Sequence, residues 1–587
     1  MTFKKIAICV CLFFIAQALS AQSAYWVFFT DKNNAQFNPY TYFDSSAIER
    51  RIKNNISLYD STDFPLNEDY VRYTASLSEE VIGETRWFNA LAVFASEESI
   101  SKIQTFPFVK EVIAIQTNLT LCSYQTLLAD DEPPIEEDTN ETPICSPQVK
   151  RMGGDIFVKN NIDGKGIRIA VFDGGFPQVN SHPAFEHIRK ENRIIKTWNF
   201  CNKKENVYGY NSHGRMVLSC IAGIKDNQKL GLATGAEFLL ARTEIGLEIK
   251  KEEVWWLMAM EWADKNGADI INSSLGYTGE RYYPYQMDGK YTLVARAANM
   301  AASKGILVVN AAGNEGEDRI WERTIITPAD ADSILTIGGI SPQTDYRINF
   351  SSVGPTADGR LKPNVVAYGQ ATVAGKTEWN HNAFGTSFAS PLVAGFAACA
   401  WQTNRKLNNM ELKAEIERCG DLYPYFDYDH GYGVPQASFF IEDTSIIIQP
   451  DNILLMVEDE QEINIIVDRS LEKGGYWDRE YKNLQFVYYH IADEKGKLIQ
   501  YYVTKLPQEY FWDDVNGENH IKEVIETVLQ LDTTKNTLEE IITEHSENKT
   551  QEEENHKHIV ARINKSDLKP GYTLRVRYNG IVKEYSK

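Results

Sequence analysis

The sequence has no basic excess, no metal-ligand spacing and no internal repeat, and each absence removes a class of function. Lys and Arg total 60 against 81 Asp and Glu, giving a formal net charge of −21 and a pI near 5.1. Nucleic acids and anionic membrane surfaces reward basic proteins, so neither is an expected partner. No CxxC or HExxH pattern occurs, which removes the common zinc signatures. No D-x-D-x-D-G loop marks a calcium site. No G-x-S-x-G elbow surrounds any serine, which argues against the esterase arrangement of α/β-hydrolases. Beyond the N-terminus, no stretch is long and apolar enough to span a bilayer.

The N-terminus itself reads as an export signal. Lys4 and Lys5 precede an apolar run that is shorter than the ~20 residues of a spanning helix, and Ala18, Ser20 and Ala21 follow it. Residues 1–21 therefore read as a secretory signal cut after Ser20 or Ala21, and the protein is expected to be secreted. Of 8 cysteines, Cys9 and Cys11 leave with the signal. Cys122, Cys145, Cys201, Cys220, Cys399 and Cys419 remain. Six cysteines allow about fifteen pairings, so the sequence selects none. Cys220 and Cys399 lie on apolar helical faces and read as buried thiols.

The chain has 587 residues, too many for one ordinary core, with 43% hydrophobic and 24% charged residues. Residues 22–120 alternate short strands and helices in a β-α-β-α-β order, with strands at 25–29, 87–95 and 109–115. A helix at 45–54 starts from Ser45 or Ser46, a second helix starts near Ser96, and there is room for one more strand at 70–77. Residues 121–150 form an acidic linker. Its stretch 129–148 holds four prolines without apolar periodicity and reads as exposed and protease-accessible. Residues 151–442 change character. Apolar strands in "GIRIAVFDGG", "ADIINSSLG" (268–276) and "ILVVNAAGNEG" (306–316) alternate with helices at 213–223, 252–267 and 291–305, the middle one amphipathic. That pattern implies a doubly wound parallel sheet covered on both faces, whose ligands bind beyond the carboxyl ends of the strands. Residues 443–587 carry short strands at 445–449, 452–457, 462–468, 484–492, 498–506, 558–563 and 572–578. They imply a β-sandwich or barrel interrupted by a polar insertion at 533–558.

Three reactive side chains stand where that sheet would present them. Asp173 ends the strand "IRIAVFD", His213 opens a helix, and Ser387 opens the helix in "FGTSFASPLVAG". A serine hydroxyl needs a base near neutrality, an imidazole supplies one, and a carboxylate fixes the imidazole's tautomer. A helix mouth adds free N–H groups aimed at an oxyanion. Asn314, in "NAAGNEG" just beyond a strand, adds a side-chain amide donor. Taken singly, each residue reads as a turn or cap; the argument rests on their combination.

These motifs carry a resemblance. "AVFDGG", "SHGRMVLSCIAG", "AAGNEG" and "GTSFASPLVAG", with "INSSLG", "TPAD", "FSSVGP" and "LKPNVVAYG", resemble the catalytic domain of the subtilisin family of serine peptidases. The chain order Asp, His, Ser is that family's order. The resemblance implies a secreted serine endopeptidase working through an acyl-enzyme. Asp173 would be the orienting carboxylate, His213 the base and then acid, and Ser387 the nucleophile. Asn314 and the Ser387 N–H would form the oxyanion hole. Ser274, Leu275 and Gly276 would offer backbone to a peptide substrate as an added strand. With Ala311, Ala312 and Gly313 they would line the pocket for the residue before the scissile bond. It also implies that residues 22–120 are a small, ferredoxin-like propeptide, which folds the enzyme and inhibits it within the same chain until a cut between about 118 and 150. Together the arrangement resembles secreted subtilases of Bacteroidetes-type bacteria. No cofactor is required, calcium is expected only as a structural ion without an assignable site, and a monomer is expected. Two positions depart from the family pattern: Gly174 stands where Thr or Ser is common, and Arg215 where Thr is common. Loss of a hydroxyl at 174 would loosen a hydrogen bond to Asp173, and Arg215 would place a cation at the cleft rim.

Overall fold

The computed structural model describes residues 23–115, 145–245, 251–279, 281–343, 345–375, 380–441, 451–468, 486–494, 498–506, 557–578 and 581–587. The export signal, the proposed cut region up to 144, the strand expected at 445–449 and the insertion up to residue 556 lie outside them.

The N-terminal region runs β1 (Ser23–Phe29), α1 (Ser45–Lys53), α2 (Glu68–Ser76), β2 (Glu80–Thr85), β3 (Ala90–Ala95), α3 (Glu97–Ile103) and β4 (Val109–Ile115). The strands form one antiparallel sheet in the order β2-β3-β1-β4. Two expectations are corrected. Residues 70–76 are helical, with Leu77 as the C-cap, because the Asn67 side chain accepts the N–H groups of Asp69 and Tyr70 and caps α2; the added strand follows it, at 80–85. The cap of α1 is Asp44, whose carboxylate accepts the Ser46 N–H at 3.0 Å, and neither Ser45 nor Ser46 fills that place.

The central region builds a seven-stranded parallel sheet in the order β11-β10-β9-β8-β5-β7-β6. Its strands are β5 (Arg168–Asp173), β6 (Ile194–Asn199), β7 (Glu237–Arg242), β8 (Ile270–Ser273), β9 (Leu307–Ala311), β10 (Leu335–Ile340) and β11 (Val365–Tyr368). Period-two alternation divides their side chains between two cores. Ile169 and Val171 face α4 (His213–Ala222) and the eighteen-residue α7 (Thr386–Thr403). Ala170 and Phe172 face α5 (Lys251–Lys265) and α6 (Leu293–Ser303).

Helix α5 differs from the expected amphipathic helix in having no solvent face over most of its length. Trp256 and Leu257 pack in the core under the sheet, and the same apolar cluster takes in Ala24, Trp26, Ile82, Ala90 and Ala92 of the N-terminal sheet. The opposite pleat of that small sheet (Val27, Phe29, Leu91, Val93) packs on Ile100 and Ile103 of α3. The polar residues of α5 are therefore enclosed and paired. Asp264 bonds both Arg50 and Arg51, and Arg51 also reaches Asp63 at 2.8 Å. Lys304 joins Asp60 at 2.8 Å and Asp63 at 3.2 Å. Glu261 accepts the Thr85 hydroxyl at 2.5 Å and the N–H groups of Arg86 and Trp87, each at 3.1 Å. Burial pushes the Glu261 carboxyl up to about 7.

Residues 145–149, expected to be exposed linker, pack closely instead. Cys145 is buried, and the Gln148 side chain bonds Leu230 O and both backbone groups of Thr372. Cys220 and Cys399 are buried as expected, and Cys145, Cys201, Cys220, Cys399 and Cys419 are all free thiols.

The C-terminal region, taken by itself, has two antiparallel sheets. One orders β12 (Leu454–Glu458), β13 (Glu462–Asp468) and β16 (Lys557–Asn564) as β12-β13-β16. The other orders β14 (Phe486–Ala492), β15 (Leu498–Lys505), β17 (Thr573–Tyr578) and β18 (Ile581–Ser586) as β15-β14-β17-β18. Ile463, Ile465 and Val467 share one apolar cluster with Val487, Ile491, Leu574 and Val576, as in a sandwich. Among the described residues no helix is long and apolar enough to cross a membrane.

Candidate active site

The residues singled out in the sequence gather at the carboxyl ends of β5, β8 and β9, three adjacent strands of the parallel sheet. Asp173 is the last residue of β5 and is fully buried. His213 opens α4, its N–H held by the Asn211 side chain at 2.9 Å. The imidazole Nδ1 lies 2.9 Å from Asp173 Oδ2 and 3.1 Å from Oδ1. A buried carboxylate on Nδ1 selects the tautomer with a proton there, which leaves Nε2 to accept one.

Gly174 does not leave Asp173 short of a partner. Its backbone N–H donates to Asp173 Oδ1 at 2.7 Å, and the Thr243 N–H takes the Asp173 carbonyl at 3.0 Å. Arg242 Nε fixes the next carbonyl, that of Gly174, at 2.9 Å. The expectation for Arg215 is overturned: its side chain is buried and donates to Ala374 O, Pro177 O and Gln178 Oε1. A guanidinium taken up by three oxygens inside the fold puts no cation on the cleft rim.

Ser387 is the second residue of α7, so its N–H precedes the first intrahelical bonds. Its Oγ donates to Ser274 O at 3.1 Å, and Ser274 Oγ donates back to Ser387 O at 2.8 Å. The next residue, Phe388, lies against the His213 ring at 5.5 Å between centroids, so the α7 mouth and the imidazole share one wall.

Asn314 is oriented by a hydroxyl that the sequence reading passed over. Its Oδ1 accepts both the Thr386 N–H at 2.9 Å and the Thr386 Oγ1–H at 3.0 Å, and Thr386 Oγ1 lies 3.1 Å from Gly313 O. With the carbonyl end so occupied, the amide nitrogen lies toward Gly385. Gly385, at φ 144, leaves an open volume there. A Cβ on it would fall 3.6 Å from Asn314 Nδ2 and 3.6 Å from the Ser387 nitrogen. The nitrogens of two N–H donors therefore flank one small space at Gly385, the kind of arrangement that stabilises an oxyanion. The signal for Thr386 stood in "GTS", a second hydroxyl directly before the serine.

The remaining residues flank this space. Ser274, Leu275 and Gly276 continue from β8, and Ala311, Ala312 and Gly313 end β9 and lead into Asn314. The Leu275 carbonyl turns inward to Asn310 Nδ2 at 3.1 Å. Neither backbone group of Gly276 has a partner among the described residues, as an edge open to an added strand requires. Among the described residues, no group of three or more His, Cys, Asp or Glu side chains could hold a metal ion.

Comparison with known proteins agrees with this geometry. The model of the Subtilase family matches residues 164–433, and that of the Peptidase S8 propeptide domain of Bacteroidota matches residues 24–128. The chain is 30% identical over 250 residues to "Subtilisin-like protease SBT6.1" of Arabidopsis thaliana, covering 41% of this chain and 22% of that protein. It is 28% identical over 303 residues to "Serine protease AprX" of Bacillus subtilis (strain 168), covering 45% and 63%. It is 29% identical over 290 residues to the human "Membrane-bound transcription factor site-1 protease", covering 47% and 25%. The chain thus spans less than two thirds of the length of each of these relatives.

Proposed function

From a chain that carries a subtilase domain behind a Bacteroidota-type peptidase S8 propeptide domain, we propose a serine endopeptidase that is exported as a zymogen and processes itself. The observation that carries this reading is the buried Asp173–His213 pair at 2.9 Å, its ring packed on Phe388, the residue after a serine whose nitrogen and the Asn314 amide nitrogen flank one space at Gly385.

In the proposed reaction Ser387 Oγ passes its proton to His213 Nε2 and attacks the peptide carbonyl. The carbonyl oxygen takes the negative charge and enters the space between Asn314 Nδ2 and the Ser387 N–H. Asp173 holds the imidazolium formed meanwhile. Collapse of the intermediate breaks the C–N bond, and the departing amine takes the proton from His213. Water, deprotonated by the same imidazole, then frees the acyl group. Substrate backbone adds as a strand along Gly276.

The docking of the N-terminal sheet on α5 supports the inhibitor role of residues 22–120, since α5 lies against the strands that end in the site. The export signal, together with a propeptide of a type found on exported peptidases, supports secretion. The test compares the signal-less chain with its Ser387→Ala variant by intact mass and by digestion of a denatured protein. The reading predicts that the native chain loses ~100 or more residues and then digests substrate, while the variant stays full length. If both stay intact and inert after an added protease nicks the acidic linker, the domain is a binding scaffold and the reading fails.

A further inference from the structure

The pocket for the residue before the scissile bond has a built-in floor. Taking Gly276 and Gly313 as its walls, as the resemblance implies, the space adjoins the serine through Ser274, two residues before Gly276, whose carbonyl accepts from Ser387 Oγ, and through Asn314, which follows Gly313. The segment that closes this space is bonded to both walls. The Ile326 N–H donates to Ala312 O at 3.1 Å, and the Tyr277 N–H donates to Thr327 O at 2.8 Å. The Ile326 side chain then fills the gap the two glycines leave. Its Cδ1 stands 2.0 Å from where a Cβ on Gly276 would be, and its Cγ2 stands 2.6 Å from the corresponding point on Gly313. Ile326 is buried and packs with Ala312, Trp321, Ile325 and Ala329, so it has no free space to swing into.

We propose that Ile326 truncates this pocket and restricts the residue before the scissile bond to small side chains, Gly, Ala or Ser. The inference rests on the proposed peptidase activity and assigns its substrate class. A phenyl or leucyl side chain entering between Gly276 and Gly313 meets the branched end of Ile326. Admitting it would need displacement of a segment tied to both walls. Glu315 Oε2, which accepts the Ser352 hydroxyl at 3.1 Å, stands 2.5 Å from where a Cβ on Gly313 would be, so its carboxyl and Ile326 together fill that side.

The test uses the protein after its self-processing and three peptides that differ only before the scissile bond, as Ala, Phe or Lys. Wild type is expected to favour Ala over Phe and Lys by about 100-fold or more in kcat/KM. Ile326→Ala and Ile326→Gly should raise kcat/KM for the Phe peptide stepwise, by about tenfold to 100-fold, chiefly through KM, while the Ala peptide changes by less than about threefold. The Ile326→Ala variant guards against misfolding of the Gly variant, and the wild-type ratio alone can decide against the proposal. Wild type that cleaves after Phe or Lys as fast as after Ala overturns the inference and leaves the peptidase reading intact. So do variants that leave the Phe-to-Ala ratio unchanged. Protein that cleaves no peptide overturns both.

Discussion

Replacing Asn314 in two ways separates its donor from its acceptor. The carboxamide has both roles: Oδ1 takes the Thr386 N–H and hydroxyl at 2.9 and 3.0 Å, and Nδ2 faces the oxyanion space with the Ser387 N–H. Asn314→Asp keeps an oxygen for Thr386 and replaces the donor by a second acceptor. Asn314→Ala removes both. Loss of one oxyanion donor in a subtilisin-type enzyme costs about 10²–10³ in kcat, or roughly 3–4 kcal/mol. Both variants should therefore lose at least that factor in kcat with KM within about twofold, because the donor meets charge only in the transition state. The Asp variant should be worse, since a carboxylate repels the developing oxyanion. Stability should run the other way: Ala gives up two hydrogen bonds worth about 1 kcal/mol each, and Asp retains them. Steady-state kinetics on a chromogenic peptide and thermal melts of the same samples read both axes. A fall in kcat of less than tenfold for Asn314→Ala would refute the donor role, and equal melting points for the two variants would refute the acceptor role.

Three further outcomes follow from the same contacts. Asp264→Ala leaves the Arg50 guanidinium with backbone carbonyls in place of a carboxylate and Arg51 with Asp63 as its remaining carboxylate; breaking a buried pair costs about 3–5 kcal/mol. Urea unfolding of the Ser387→Ala full chain should shift by that amount, and a shift below ~1 kcal/mol contradicts the interface described. Glu261 sits at about 7 when covered by Thr85–Trp87 and should return toward an ordinary carboxyl, near 4.5, once uncovered. The docked state then binds an extra proton between those values, so its stability is fully present below 4.5 and falls as pH rises through 7. Titrating propeptide release against pH should show this dependence, and Glu261→Gln should flatten it. Arg215→Met should lower thermal stability by roughly 1–3 kcal/mol while leaving the preference between acidic and basic peptides unchanged; a change in that preference restores Arg215 to the cleft rim.

The sequence made the site more legible than its supports. Asp173, His213 and Ser387 stand where apolar alternation stops or helical spacing starts, so position and chemistry coincide. The parallel sheet was legible for a similar reason, because strands buried on both faces read as unbroken apolar runs. Helix α5 was misread because 3.6-residue periodicity marks a polar face without saying what covers it. Glu261 and Asp264 look like solvent-facing residues until Thr85–Trp87 cover the first and Arg50 and Arg51 of α1 pair with the second. Residues 70–77 have strand-like composition, and a single cap at Asn67 decided for helix. Ile326 was invisible for another reason: it comes from a segment remote from both walls, and only folding places it between Gly276 and Gly313.

The most direct measurement is labelling with a fluorophosphonate, which bonds only an activated serine. After self-processing, mass spectrometry should find one adduct, on Ser387, and His213→Ala and Asp173→Asn should slow its formation by at least about 10³-fold. An adduct elsewhere, or labelling of Ser387 at an unchanged rate without His213, would contradict the account.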